Sequence, residues 1–359
     1  MRPYTILSCA VSLDGYLDDT SDRRLILSNT ADLDRVDAVR ADSDAILVGA
    51  TTIRRDDPRL TIRDPVRRAL RAAHGAPEDP VRVTITESGD LDRGQRFFAP
   101  GPVPPLVYTP DPERLSGRLD GAATVVTAAS LPEALADLRR RGIRRLLVEG
   151  GGDILSQFLA GDLADELHLA VAPLFVGDPG APRWVGPGRL PVGRLRLAES
   201  RRIGDVVLLR YLLSQTAVDR FWLAAAIEES RRCPPSDNAF SVGAVVVDSS
   251  GAEVSRGYSR EGDPLVHAEE SALSKVDRVP EGSTIYSSLE PCSVRKSRHI
   301  PCTELIRAAG IGRVVYAWRE PVLFVDGQGV EDLRASGVDV VEVPELAPDV
   351  RSVNAHLLR

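Results

Sequence analysis

The stretch LEPCSVRKSRHIPC, residues 289–302, contains two of the four cysteines of this 359-residue chain. Nine residues separate Cys292 from Cys302. Such a pair could form a disulfide, or it could bind a metal together with ligands from elsewhere in the sequence. The chain opens MRPYTILSCAV, which lacks the basic region, apolar run and cleavage site of a secretory signal, so we expect a cytoplasmic protein. Because cytoplasmic thiols stay reduced, the pair is more typical of a metal or catalytic site.

A third ligand for that site is expected in the stretch VHAEES. His267 lies at the start of a predicted helix, and Glu269 follows two residues later. Cys292 follows a predicted strand and Cys302 begins the next predicted helix, so the three side chains can meet at one point. One histidine and two thiolates suit zinc with a fourth position open for water, which is the catalytic arrangement. Zinc lowers the pKa of that water to near 7, and Glu269, near the metal without binding it, can transfer protons.

This order of residues, His-x-Glu and then Pro-Cys with a later cysteine, is typical of zinc deaminases. The usual second half is Pro-Cys-x-x-Cys, so the nine-residue spacing separates this chain from nucleic-acid editing and cytidine-type enzymes. The alternative is two unrelated buried thiols and a surface histidine, which the order of the motifs disfavours. His299 is a rival ligand, but we expect it to face substrate or solvent. Cys9 and Cys233 fit ordinary small apolar positions.

The length of the chain predicts two domains, because one domain usually takes about 100–200 residues. We place them at residues 1–213 and 214–359. The formal net charge is −7, whereas a duplex nucleic-acid binder normally carries a basic patch, so we expect no nucleic-acid partner. No apolar run approaches the roughly 18 residues of a membrane span, so we expect no membrane partner.

Hydrophobic runs and turn residues predict alternating strands and helices, typical of an α/β fold. In the first half we predict strands at 4–11, 44–49, 81–86, 105–109, 123–127, 144–150, 165–177 and 205–213, and helices at 31–42 and 131–142. In the second half we predict helices at 216–232, 265–276, 301–309 and near 329–336, and strands at 240–248, 253–260, 283–290, 313–318 and 338–343.

The second half resembles the pyrimidine deaminases of riboflavin biosynthesis over roughly residues 216–345. The resemblance rests on CPPSDNAFSVGAVVVD, GYSRE, VHAEESAL, SLEPCSVRKSRHIPC and the later EP–FVDGQG. It implies a cytidine-deaminase-like three-layer α/β/α domain, with Asn238 gripping the pyrimidine, although Asn238 lies one residue further from Val242 than in the bacterial family. The cysteine loop is closer to the fungal deaminase, which acts on the already reduced ribitylamino pyrimidine.

The first half is similar to the riboflavin-pathway reductase over residues 2–212, through RPYTILSCAVSLDGYL, RVDAVRADSDAILVGATTIRRDDPRLTIR, LLVEGGGDILSQFL and DELHLAVAPLFVG. This implies a dihydrofolate-reductase-like α/β domain that uses NADPH. Glycines where a strand meets a helix let backbone N–H groups approach a phosphate. The resemblance places Thr52, Asp56, Gly151, Gly152, Asp153, Ile154, Leu155, Ser156 and Gln157 at the cofactor, and Arg40, Leu60, Arg63 and Glu149 at the phosphorylated substrate.

Two of these positions have simpler interpretations. Arg40 could be a surface charge on a helix, and Asp56 a turn residue before Asp57-Pro58. The bacterial bifunctional enzymes carry a lysine where this chain has Ser8, and the archaeal and fungal reductases, which act before deamination, lack it. Domain order is also the reverse of the usual bacterial fusion.

We therefore expect a bifunctional riboflavin-pathway enzyme. It reduces the ribosylamino side chain with NADPH, removes the pyrimidine 2-amino group with zinc, performs the reduction first, and forms a homodimer through the reductase domain. Alternatives are a relative acting on a similar pyrimidine or pteridine in secondary metabolism, and a chain in which one domain is only a scaffold. A nucleic-acid editing deaminase is disfavoured by the acidic charge and the fused reductase.

Overall fold

The computed structural model describes all residues except 22, 116, 187, 189, 191–192, 296–297, 320–327 and 359. The chain divides into two compact units, Met1–Gln215 and Thr216–Arg359. Part of the EP–FVDGQG stretch, residues 320–327, lies outside the described residues. Among the residues described, no helix combines the length and the apolar character that a membrane crossing requires.

The first unit is built on one nine-stranded sheet in the order β5-β4-β3-β2-β6-β1-β7-β9-β8. All neighbours from β5 to β7 are parallel, and β9 runs antiparallel to both β7 and β8. Its strands are β1 (Tyr4–Val11), β2 (Ala45–Gly49), β3 (Val81–Ile85), β4 (Leu106–Thr109), β5 (Thr124–Thr127), β6 (Arg145–Val148), β7 (Glu166–Val171), β8 (Arg196–Ile203) and β9 (Val206–Leu212). Its helices are α1 (Thr30–Ala41), α2 (Ala50–Asp56), α3 (Pro65–Ala73), α4 (Leu131–Arg140) and α5 (Gly152–Ala160).

The central strands of this sheet are apolar along their length, as expected where a parallel sheet is covered on both faces. Strand β2 is buried at every position, and it pairs in parallel with β6. Helix α2 begins directly after β2, and α5 begins four residues after β6 ends. The carboxyl ends of β2 and β6 therefore bring the starts of these two helices to the same edge of the sheet.

The second unit has a five-stranded sheet in the order β11-β10-β12-β13-β14. Its strands are β10 (Gly243–Val247), β11 (Glu253–Tyr258), β12 (Thr284–Leu289), β13 (Arg313–Trp318) and β14 (Asp339–Glu342). Its helices are α6 (Gln215–Ser230), α7 (Ala268–Ser274), α8 (Cys302–Ala308), α9 (Gly329–Ala335) and α10 (Ala347–Val353).

Alternating side chains of this sheet pack into two separate apolar clusters. One joins Val246 to α7, α8 and α9, through residues such as Ala272 and Ile306. The other joins Val245 to α6 and α10, through residues such as Leu223. Because neighbouring strand residues point to opposite faces, the sheet lies between two helical layers. The predicted three-layer α/β/α fold is confirmed.

The predicted elements correspond closely to the observed ones, with a few differences. The strand predicted at 165–177 ends at Val171, and the backbone N–H groups of Val176 and Gly177 bond instead to the Asp14 carboxylate. The edge strand β8 was not predicted, because half of its sequence RLAESRRI is charged and half of its residues are exposed. Helices α2, α3 and α10 were also not predicted; each is short, with seven to nine residues.

Candidate active sites

Three side chains of the second unit form a compact group of potential metal ligands. His267, Cys292 and Cys302 offer ligand atoms that all lie within 4.8 Å of one another. The Nδ1 atom of His267 is 3.5 Å from Sγ of Cys292 and 3.4 Å from Sγ of Cys302. Zinc bonds of about 2.3 Å to sulfur and about 2.0 Å to nitrogen, at a tetrahedral angle, separate such atoms by about 3.5 Å. The group therefore fits a tetrahedral zinc ion.

The local backbone explains how these residues meet. His267 is extended, with φ −91° and ψ 161°, and caps the start of α7. Cys302 is the first residue of α8, and its backbone N–H points to Sγ of Cys292 at 3.5 Å. Hydrogen bonds from Cys302 and His267 outweigh burial and lower the pKa of the Cys292 thiol to about 4. A thiolate is the form in which cysteine binds a metal.

Glu269 lies beside this group and is only 3% exposed. One carboxylate oxygen, Oε1, accepts a hydrogen bond of 2.7 Å from Ser287, and Oε2 lies 3.3 Å from Sγ of Cys302. Burial raises the pKa of Glu269, which favours its proton-bearing form. Ser287 was not singled out in the sequence; its signal is a hydroxyl on the same strand that leads to Cys292.

A cavity of about 520 Å³ opens in front of these residues. His267, Glu269 and Cys292 contribute to its wall, as does Asn238. The structure therefore brings Asn238 to the same cavity as two of the potential metal ligands, His267 and Cys292. His299 is exposed and is not part of the cavity wall.

Arg260 holds the loop that carries Asn238. It donates to the carbonyl oxygen of Pro234 at 2.8 and 3.0 Å and to that of Phe240 at 3.0 Å, and also to Oγ of Ser241 at 3.1 Å. Its φ of +66° is rare for a residue with a side chain. Sequence reasoning missed this role, because the contacts join residues about 20 to 26 positions apart.

Two glycines of the first unit, Gly151 and Gly152, lie where α5 begins. A Cβ atom on Gly152 would lie 2.3 Å from the carbonyl oxygen of Arg183, and one on Gly151 would lie 3.3 Å from Oγ1 of Thr52. Gly152 therefore allows the chain at Arg183 to pack directly against the start of α5, and a helix N-terminus of this kind is a common binding place for phosphate. Thr52 and Asp56 are four residues apart on α2, so they share one face of that helix.

The other residues predicted to bind the cofactor differ in what they can offer. Ile154 and Leu155 are buried in the apolar core, so only their backbone can reach a ligand. The hydroxyl of Ser156 donates to the Gly152 carbonyl at 2.8 Å and accepts from a backbone N–H. Asp153 and Gln157 are exposed.

The four reductase residues predicted to bind the substrate differ in their contacts and burial. Arg40 forms a bidentate ion pair with Glu149, with both N···O distances at 2.6 Å, and donates to the Thr61 carbonyl at 3.0 Å. Among the described residues, these contacts use three of its five N–H groups and leave two. Leu60 is buried with φ +53°, and Arg63 is exposed.

Comparisons with known proteins match both units. The family model of the RibD C-terminal domain matches residues 3–209, and that of the cytidine and deoxycytidylate deaminase zinc-binding region matches residues 216–318. The 2,5-diamino-6-ribosylamino-4(3H)-pyrimidinone 5′-phosphate reductase of Archaeoglobus fulgidus is 32% identical over 57% of this chain and 95% of its own length. The diaminohydroxyphosphoribosylamino-pyrimidine deaminase of Schizosaccharomyces pombe is 42% identical over 34% of this chain, but the match covers only 31% of that protein.

Solved structures share the fold of part of this chain. A pyrimidine reductase-like protein from Corynebacterium diphtheriae is 22% identical, with a TM-score of 0.51, over 58% of this chain and 91% of that one. The Acinetobacter baumannii RibD structure is 25% identical, with a TM-score of 0.50, over 60% of this chain and 59% of that one. The chain therefore belongs to the RibD C-terminal domain family, and it joins a riboflavin-biosynthesis reductase domain to a zinc-binding deaminase domain.

Proposed function

We propose that both domains are active and work on successive forms of one phosphorylated pyrimidine. Residues 1–213 reduce its ribosylamino group to ribitylamino with NADPH, and residues 214–359 hydrolyse its 2-amino group with zinc. The observation that most strongly supports this proposal is the position of the buried Glu269 carboxylate. It lies next to three zinc-type ligands and lines a cavity of about 520 Å³. A retained scaffold domain would have no need of this arrangement.

In the deaminase site we assign His267, Cys292 and Cys302 as the zinc ligands. When bound, zinc supplies Lewis-acid activation of water. Glu269 then has the position of a general acid and base: Ser287 fixes its Oε1, and its Oε2 faces the ligand group. It can take a proton from water, deliver it to the pyrimidine ring nitrogen, and transfer a second proton to the departing ammonia. Asn238 is assigned to hold the ring.

In the reductase site we assign the start of α5, from Gly151 to Gln157, to the pyrophosphate side of NADPH, with Thr52 and Asp56 also contacting the cofactor. NADPH supplies the reducing equivalents, and the protein positions the two molecules. Arg63, exposed at the substrate side, is assigned to the 5′-phosphate, and the two free N–H groups of Arg40 can assist it. Glu149 and Leu60 are also assigned to the substrate-binding surface.

We further propose that reduction precedes deamination. Ser8 replaces the lysine of the bacterial enzymes, and the cysteine loop resembles that of the fungal deaminase. A site shaped for an open ribitylamino chain should reject a closed ribose, because the polar groups that it presents would be left unpaired.

The test is to incubate the protein with the diaminopyrimidinone ribosylamino 5′-phosphate, with and without NADPH, and to measure ammonia and product mass. We expect no ammonia without NADPH and release once NADPH is added. Rapid release without NADPH would reverse the order, and no reaction under either condition would favour a related pyrimidine or pteridine as substrate.

We also propose a homodimer formed through the reductase domain, in the cytoplasm. The proposed dimer is supported by two exposed apolar side chains on the β8–β9 hairpin, Leu197 and Val207. Four free cysteines support a reducing compartment. Light scattering of the wild type and of Val207→Asp would test the dimer, which we expect the substitution to weaken.

A further inference from the structure

Glu270 follows the proposed general acid Glu269 in the sequence. Its side chain accepts hydrogen bonds that serve none of the roles assigned above. Its Oε2 accepts a hydrogen bond of 2.8 Å from Nη1 of Arg295, and its Oε1 accepts one of 2.6 Å from Nη1 of Arg298. The backbone N–H of His267 also points to its Oε2, at 3.4 Å. One carboxylate therefore contacts a proposed zinc ligand and two arginines of the segment between the two cysteines.

The same segment is fastened at two further points. Arg298 also pairs with Asp263, and Arg295 also donates to the carbonyl oxygen of Leu265. All of the acceptors lie between residues 263 and 270, on the turn and helix that present His267. The arginines thus attach the inter-cysteine loop, where it is described at 293–295 and 298–301, to the element that carries the third ligand.

The ion pair between Glu270 and Arg295 is more buried than the one between Glu270 and Arg298, and it is therefore the stronger contact. The side chain of Arg295 is 2% exposed and that of Glu270 is 17% exposed, whereas that of Arg298 is 38% exposed. Removing one partner of a buried ion pair leaves an uncompensated charge and is much more costly than losing a surface pair.

The spacing of the cysteines explains why such an anchor is needed. When two residues separate two cysteines, a single turn of backbone fixes both sulfur atoms. Nine residues separate Cys292 from Cys302, and a loop of that length has much more conformational freedom to lose. The two sulfur atoms must nevertheless stay 3.4–3.5 Å from Nδ1 of His267.

We propose that Glu270 is a positioning residue of the zinc site: through Arg295 and Arg298 it holds the long inter-cysteine loop in register with His267. This rests on the proposed zinc site, but not on the identity of the substrate. Partners outside the ligand shell commonly change metal affinity by about 10- to 100-fold. Glu270 touches no ligand atom, so its loss should loosen zinc without removing a ligand.

The experiment compares zinc release from the full-length, zinc-loaded protein to an excess of a chromogenic chelator. We expect Glu270→Gln to release zinc about 10- to 100-fold faster than the wild type. The matched control is Glu253→Gln, which removes another glutamate–arginine pair of the same unit, Glu253–Arg256, and should release zinc at the wild-type rate. Adding Arg295→Gln to Glu270→Gln should speed release by less than the product of the two single effects, because the two residues share one contact.

A milder variant keeps the test valid if Glu270→Gln folds poorly. Arg298→Gln leaves the buried Glu270–Arg295 pair in place and should speed zinc release by a smaller factor. A wild-type release rate in Glu270→Gln, or in Arg298→Gln where Glu270→Gln does not fold, would overturn the inference. A wild-type protein that takes up no zinc would overturn the proposed function as well, so the two failures are distinguishable.

Discussion

The hydroxyl of Ser287 donates a hydrogen bond of 2.7 Å to Oε1 of Glu269, and both side chains are buried. Ser287 lies on β12 and Glu269 on α7, so this bond joins the central sheet to the helix that His267 caps. It fixes one carboxylate oxygen and leaves the other 3.3 Å from Sγ of Cys302. The carboxylate is thereby oriented toward the ligand group without being part of it.

Glu269→Gln should lose most deamination activity but retain zinc, since the proposed role of the side chain is not that of a ligand. We expect ammonia release to fall by about 10²- to 10⁴-fold, the usual contribution of a general acid or base. NADPH oxidation by the other domain should be unchanged. Zinc content, ammonia release and NADPH oxidation measured on one preparation check this, and an equal loss of both activities would indicate a folding defect or one shared site.

Ser287→Ala should lower deamination by about tenfold, which corresponds to the loss of one hydrogen bond to a charged or polar partner. The matched control is Ser288→Ala, on the same strand. Ser288 is equally buried but accepts a hydrogen bond of 3.1 Å from the backbone of Gly243 instead. If both variants lose the same activity, the effect comes from strand packing and not from orientation of Glu269.

Cys302→Ala should lose most bound zinc and destabilise the deaminase domain, because metal binding is coupled to folding. The control is Cys233→Ala in the same unit, whose sulfur donates to the Val242 carbonyl at 3.3 Å and lies outside the ligand group. Metal analysis and thermal denaturation provide the measurements. Full zinc in the Cys302 variant would show that the ligand assignment is wrong.

Arg63→Ala should weaken binding of the phosphorylated substrate by roughly 10-fold or more, since charge-assisted bonds to phosphate are strong, and should leave NADPH affinity unchanged. Arg59→Ala, another exposed arginine four residues earlier, is the control. Titration with the phosphorylated and dephosphorylated substrates separates the effects. A variant that loses as much affinity for the dephosphorylated compound would place Arg63 away from the phosphate.

The sequence predicted that His267, Cys292 and Cys302 come together, because the proposed chemistry depends on residue types at local spacings. His267 and Glu269 are two residues apart at one helix start, and each cysteine follows a proline. The residues that it missed, such as Ser287 and Arg260, act through contacts between distant segments, and a hydroxyl or a guanidinium alone gives no sign of its partner.

In the reductase domain, the sequence left other features of the structure unpredicted. The glycines of VEGGGD predicted a helix start, and α5 begins at Gly152, but the close approach of the Arg183 carbonyl to Gly152 could not be predicted from the sequence. The pairing of Arg40 with Glu149 could not be read from the sequence, because it joins residues 109 positions apart. The ion pair between Glu166 on β7 and Arg210 on β9 could not be read from the sequence for the same reason.

Glu166 on β7 lies at the centre of a charged group. Tyr4 donates to it at 2.5 Å, His168 lies 3.0 Å away, and Arg210 is 3.3 Å away. Burial alone would raise the pKa of Glu166, but the bonds from His168 and Tyr4 and the charge of Arg210 outweigh it and lower the pKa to about 2. The ionised form is therefore the one that stabilises the fold.

Glu166→Gln should reduce the free energy of unfolding of the reductase domain by about 1–3 kcal/mol at pH 7. Because the folded-state pKa is lower than the unfolded value of about 4.5, the stabilisation is fully present above pH 4.5 and is lost as the pH falls toward 2. The difference between wild type and variant should therefore shrink across that range.

Urea denaturation followed by Trp184 fluorescence, in a background with Trp222 and Trp318 replaced by Phe, isolates this domain. Glu199→Gln, which removes a more exposed partner of Arg210, should cost less than about 1 kcal/mol. A difference for Glu166→Gln that stays constant from pH 7 to pH 3 would show that the substitution acts through packing and not through charge.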